Sequence, residues 1–145
     1  MADQTVSVTT TDSDVAGFTV IESGGTTTVA EDGSTTDDFT VVLDAQPISD
    51  VVISVTSSDT GEVTVSPATL TFTSGNWDSS QTVTVTGVDD SLIDGSQTST
   101  ITIAVEDESS NDSFDSLSDQ TVSVSTADDD TAGFTITQTD GSSSV

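Results

Sequence analysis

Apolar residues in this chain recur two positions apart, with threonine and serine between them. Val6 and Val8, Phe18 and Val20, Phe39, Val41 and Leu43, and Val51, Ile53 and Val55 form such runs. So do Leu70 and Phe72, Val83 and Val85, Ile101, Ile103 and Val105, and Val122 and Val124. Successive side chains of a strand point to opposite faces, so these runs predict half-buried β-strands. Glu31-Asp32-Gly33, Gln46-Pro47, Asp59-Thr60-Gly61 and Ser66-Pro67 separate them with turn chemistry. Gly24-Gly25 interrupts the run that begins at Phe18 and resumes at Thr26 to Val29. A glycine pair inside a strand predicts a bulge or a crossing between two sheets. Val63 to Val65 reads as a short edge piece, and Asn76-Trp77-Asp78 lies in a loop. The Asp- and Ser-rich run from Glu106 to Asp119 reads as a flexible loop between the last two strands. No stretch has helical periodicity. The pattern amounts to about seven or eight strands in roughly 115 residues, which predicts an immunoglobulin-like antiparallel β-sandwich around one core.

The chain also repeats on a longer scale. Asp3 to Val29 aligns with Asp119 to Val145 at an offset of 116, with 15 identities in 27 paired positions. A fixed internal period marks a modular array. The expected organisation is a last strand and acidic linker of a preceding repeat over residues 1–14, a complete repeat over 15–130, and the first strand of a following repeat over 131–145. On this reading Thr5 to Thr9 and Phe134 to Thr137 are strands separated from their own domains. Unpaired strand edges recruit other chains, so these ends are expected to be either disordered or paired with a neighbouring molecule. In its strong form the idea is strand donation along a filament.

Charge narrows the function. The 145 residues include 26 Asp and Glu and no Lys, Arg, His or Cys, for a formal charge of −26. Binding to nucleic acid or to an anionic membrane relies on Lys and Arg, so neither is an expected partner. There is no disulfide framework and no thiolate metal site. Histidine base, lysine nucleophile and Lys–Asn crosslink are all excluded, and no Ser has a candidate partner. Asp89-Asp90 could do glycosidic acid–base work in principle, but neighbours at a strand end face opposite ways, so no enzyme is expected. No apolar run has the length of a membrane span. Such self-repelling charge disfavours the compact state, so metal or salt is expected to be needed for stability.

The acids gather at joints. Asp128-Asp129-Asp130 precedes Thr131-Ala132-Gly133-Phe134, and its near-copy Asp12-Ser13-Asp14 precedes Val15-Ala16-Gly17-Phe18. Three adjacent carboxylates repel one another unless a cation sits among them. Calcium takes six to eight oxygens at about 2.3–2.6 Å from carboxylates, carbonyls and water. The acids lie just beyond predicted strand ends, and alternate turns of an antiparallel sandwich fall at one end.

Several stretches in order resemble the Calx-beta repeat, an immunoglobulin-like calcium-binding module of sodium–calcium exchangers and of large bacterial surface proteins. They are Val29-Ala30-Glu31-Asp32-Gly33, Ser58-Asp59-Thr60, Leu70-Thr71-Phe72, Gln81 to Asp90, Asp94-Gly95 with Thr98, and Asp128-Asp129-Asp130. The resemblance spans about Val15 to Asp130. It implies Ca2+ at one end of the sandwich, held by Glu31, Asp59, Asp89, Asp90, Asp94, Asp128, Asp129 and Asp130. Asp12 and Asp14 are the equivalent acids at the joint with the preceding unit. Ser96 and Gln97 stand where the family often has further acids, and the loop after Asp59 is shorter. Fewer or weaker sites are therefore expected than in the richest members.

The function this implies is a calcium-binding structural repeat of an extracellular fibre, adhesin or surface protein, with neighbouring repeats as partners. The alternative is an adhesive module that binds a glycan, a surface or a partner protein through its loops. Other features have plainer readings. Asp44, Asp50, Asp78 and Asp140 read as solubility charge, and Trp77 as a cap on the core. Asn111-Asp112-Ser113 fits a glycosylation sequon. The Thr82-Thr84-Thr86 and Thr98-Thr100-Thr102 arrays read as outward strand positions.

Overall fold

The computed structural model describes residues 1–141, together with all their side chains except that of Asp140. The last part of the expected following repeat, 142–145, lies outside the described residues. Among the described residues nine strands form: β1 (Phe18–Glu22), β2 (Thr27–Ala30), β3 (Thr36–Leu43), β4 (Val51–Ser57), β5 (Val63–Ser66), β6 (Thr69–Phe72), β7 (Gln81–Gly87), β8 (Gln97–Val105) and β9 (Gln120–Ala127). They make two sheets, one of four strands ordered β1-β3-β7-β5 and one of five ordered β2-β9-β8-β4-β6. The chain is an immunoglobulin-like β-sandwich. All strand pairs are antiparallel except β2 with β9, which runs parallel.

The period-two pattern becomes the core. Phe39, Val41, Val83 and Val85 from the first sheet are buried against Ile53, Val55, Ile101, Ile103, Val122 and Val124 from the second. Each such side chain contributes roughly 1.5–3 kcal/mol on leaving water. The count exceeds the expected seven or eight because the glycine pair divides one run into β1 and β2. Gly24 and Gly25 take positive φ, 64° and 83°, and carry the chain from one sheet to the other. Val63 to Val65 is indeed an edge strand. Trp77 packs against the core, and its carbonyl accepts the Leu43 N–H at 3.2 Å. The two threonine arrays face outward on different sheets, β7 in one and β8 in the other.

Two expectations change. The run from Glu106 to Asp119 is not a loose loop. Phe114 is 2% exposed within the core, and Ser110 Oγ both accepts the Val52 N–H (2.9 Å) and donates to the Val52 carbonyl (3.1 Å). An aromatic ring two-thirds of the way along this segment draws it onto the sandwich. Asn111 is also unsuited to glycosylation: it is 5% exposed, its Nδ2 donates to Ser49 Oγ, and its Oδ1 accepts the Ser113 N–H.

Among the described residues the ends form no strands. Val6 and Val8 are 87% and 78% exposed, whereas their repeat counterparts Val122 and Val124 are 2% and 0% exposed. The reason is occupancy. β8 already pairs with β9, and β3 with β1, so Thr5 to Thr9 and Phe134 to Thr137 have no vacant edge of the same kind within this molecule.

Candidate metal centre

Strand directions bring eight of the ten acids expected as ligands to one end. β2, β7 and β9 finish there, β5 and β8 start there, and β4 runs out into the Asp59 turn. Glu31 follows the last residue of β2, its N–H donating to the Ala127 carbonyl at the end of β9 (2.9 Å). Asp90 and Asp94 lie in the loop between β7 and β8, and Asp128 follows β9. Glu62 precedes β5. Its N–H donates to the Asp59 carbonyl (3.4 Å), and its own carbonyl accepts the Val88 N–H (2.8 Å). Gly87 lets the sheets close at this end: a Cβ there would overlap the Ala30 carbonyl oxygen, one residue before Glu31.

Carboxylate oxygens of Glu31, Glu62 and Asp94 lie within 4.8 Å of one another. Glu31 is 1% exposed and Glu62 8%, and Glu31 Oε1 and Glu62 Oε2 are buried with no hydrogen-bond partner. Ser99 of β8 and Thr126 of β9 are buried toward this end, and their hydroxyls are also unpartnered. Buried charge without a partner is costly, and such carboxyls respond by holding their protons. Burial first, then the charges of Asp90, Glu62, Asp94 and Asp128, push the Glu31 carboxyl up to about 7. Burial, then Asp94, Asp59, Asp90 and Asp128, raise Glu62 as well. Asp130 is raised by burial and by Asp129, Asp128, Asp89 and Asp90.

This arrangement fits a hard divalent cation. The donors are all oxygens, two of them are buried and unsatisfied, and the sequence holds no Lys, Arg or His to balance them. Asp128 ties the linker to the same end, its Oδ2 accepting the Gly95 N–H (2.8 Å) and its Oδ1 the Asp130 N–H (2.8 Å). Asp90 Oδ1 accepts the Leu92 N–H (2.6 Å), and Asp59 Oδ1 accepts the Gly61 N–H (2.9 Å). These local bonds orient the loops and leave each of the two carboxylates a second oxygen.

Of the acids expected as ligands, Glu31 and Asp94 belong to the tight group. Asp59, Asp90 and Asp128 act on it through charge, while Asp89, Asp129 and Asp130 form the adjoining acidic shoulder. Asp12 and Asp14 lie at the opposite end, where they line a hollow with Ala45, Pro47, Ile48 and Phe114. Glu62 went unrecognised in the sequence. Its signal was an acid wedged between the Asp59-Thr60-Gly61 turn and the apolar start of β5. Asp32, beside Glu31, serves the turn instead. It accepts the Ser34 and Thr35 N–H groups and the Thr35 hydroxyl, which hold its carboxyl down to about 2.

No family model and no curated protein sequence matches this chain. Solved structures do. Domains 1–6 of the surface layer protein SbsC align with 86% of this chain and 15% of theirs, at 24% identity and a TM-score of 0.51. The Salmonella enterica SafA pilin in complex with the SafB chaperone aligns over 84% of this chain and 59% of that one, at 10% identity and a TM-score of 0.52. The apo form of the Calx CBD1 domain covers 78% of this chain and 98% of its own, at 15% identity and a TM-score of 0.48. For the surface-layer and pilin structures, at these identities, the likeness is one of fold.

Proposed function

We propose that this chain is a calcium-binding structural unit of an extracellular tandem-repeat fibre, adhesin or surface protein, with the ion stiffening the joint between units. The observation that carries the reading is the pair of buried, unpartnered oxygens, Glu31 Oε1 and Glu62 Oε2, in a chain without a single basic side chain. Glu31, Glu62 and Asp94 would hold the ion, with Asp59, Asp90 and Asp128 adding to the negative field around it. Bound calcium supplies the positive charge and the appetite for oxygen that this end lacks. Asp128 couples the site to the linker through Gly95, so a rigid acidic end means a rigid exit for the chain. The partners on this reading are neighbouring repeats of the same protein. On this reading the three grouped carboxylates, two of them buried, hold an ion, and we assign them no enzymatic role.

Thermal unfolding followed by circular dichroism, in EDTA, in millimolar calcium and in magnesium, tests the reading. A ligand that binds only the folded state at a hundred times its Kd adds about 2.7 kcal/mol. The expected result is an upward shift of several degrees specific to calcium. Glu31→Gln with Glu62→Gln should abolish it, and changing Asp128, Asp129 and Asp130 to Asn should reduce it. Equal melting in all three solutions would overturn the proposal.

A further inference from the structure

The two copies of the linker view one joint from its two sides. At the acidic end, β9 closes at Ala127 and the chain leaves through Asp128 and Asp130. At the opposite end the matching pair makes the same local turn, with the Asp14 N–H donating to Asp12 Oδ1 at 3.0 Å. There the linker borders the loop between β3 and β4 and leads through half-buried Ala16 into β1. At the offset of 116 the linker that leaves the acidic end is the counterpart of the linker that borders the β3–β4 loop.

Exposed apolar side chains mark both faces. Between Phe18 and Ala127 the large hydrophobic residues left exposed are Ile21, Ile48, Leu92 and Ile93. Ile48 is 92% exposed on the β3–β4 loop, while Leu92 and Ile93 are 61% and 60% exposed on the β7–β8 loop of the acidic end. We propose that Ile48 of one unit packs against Leu92 and Ile93 of the unit before it, an apolar head-to-tail contact between successive copies. The proposal rests on the tandem-repeat reading above.

Reach and charge support it. Ala127 and Phe134 lie at most about 25 Å apart even when the linker between them, 128–133, is straight, so the faces it joins stay near each other. A short covalent link also gives the second face a millimolar effective concentration, on the order of what a small contact requires. Both faces are acidic, with Asp44, Asp50, Asp107, Asp112 and Asp115 around the β3–β4 end and the carboxylate group opposite. Their repulsion keeps the apolar residues apart until cations are bound, so the contact should close with calcium.

The test uses two full chains joined in register, residues 1–130 running into a second copy from 15 to 145. The protein has no cysteine of its own, so Leu92→Cys in the first copy and Ile48→Cys in the second report on the joint alone. Mild oxidation in calcium should give an internal disulfide in most molecules, and several-fold less in EDTA. A control pair, Leu92→Cys with Ile21→Cys of the second copy, should give little. Internal crosslinking no greater than the control, or bonds formed only between separate molecules, overturns the contact. Melting curves of the same chains separate the two ideas. A calcium shift without the disulfide sinks the contact and spares the calcium reading, whereas a disulfide with equal melting in EDTA and calcium does the reverse. As a second variant, Ile48→Ser touches only an exposed side chain, and should broaden the distribution of inter-unit distances in small-angle scattering. An unchanged distribution counts against the contact.

Discussion

Glu31 and Asp32 are adjacent carboxylates that titrate in opposite directions. Asp32 is stabilised as the anion by the Thr35 hydroxyl and by two backbone N–H groups, and sits near 2, while burial and neighbouring acids raise Glu31 to about 7. A raised carboxyl binds its proton more tightly when folded, so the stability it contributes is present below its ordinary 4.5 and is lost as pH rises through about 7. Asp32 contributes stability above 3.8 that is lost as pH falls through about 2. In EDTA the melting temperature should therefore peak near about pH 4–5 and decline toward pH 7.5. Calcium should abolish the decline, and Glu31→Gln should flatten most of it. A melting temperature in EDTA that holds level from about pH 4.5 to 7.5 would contradict the burial of this carboxyl. Glu62 escapes a period-two reading for a related reason. Both it and Val63 are buried, at 8% and 0% exposed, because Glu62 lies on the turn and has not yet entered the pleat.

At the scale of elements, two segments hold the acidic end and the opposite end in shape. The β7 terminus passes so close to the β2 terminus that only glycine fits at position 87. Gly87→Ala should cost about 3 kcal/mol in urea unfolding, as overpacking typically does. It should also weaken the calcium response by displacing the backbone next to Glu31. Unchanged stability and calcium response would show that the sheets have room to part there. The segment between β8 and β9 is anchored by Phe114, and Phe114→Ala should cost about 3–5 kcal/mol, the usual range for a buried ring. A cost near zero would restore the view of that segment as a free loop. Its composition concealed the packing: Asp and Ser crowd the stretch, and one aromatic residue decides its fate.

For the whole molecule, a charge of −26 with no basic residue makes long-range repulsion a constant opponent of folding. Screening lengths fall from roughly 10 Å at 0.1 M salt to about 3 Å at 1 M. In EDTA, added sodium chloride should raise the melting temperature steadily. Calcium should give a further rise even at high salt, since buried carboxylates are screened far less than surface ones. If high salt alone reproduced the full calcium effect, the acids would be acting as diffuse charge and not as a site.

Alternation, turn residues and the absence of helical period were enough to determine the sandwich, because each strand carries its own record of which face is buried. The glycine pair marked a bulge or a crossing between sheets, and the acids beyond strand ends marked where charge would gather. Tertiary structure decided the rest. Which carboxylates share an end depends on strand direction and sheet order, and those are set by pairings such as β2 with β9 between residues almost a hundred positions apart. The same pairings bury Glu62 beside Glu31 and put Asp12 and Asp14 at the other end. Local sequence carries no trace of such distances, since the burial of a polar group is created by everything that packs around it.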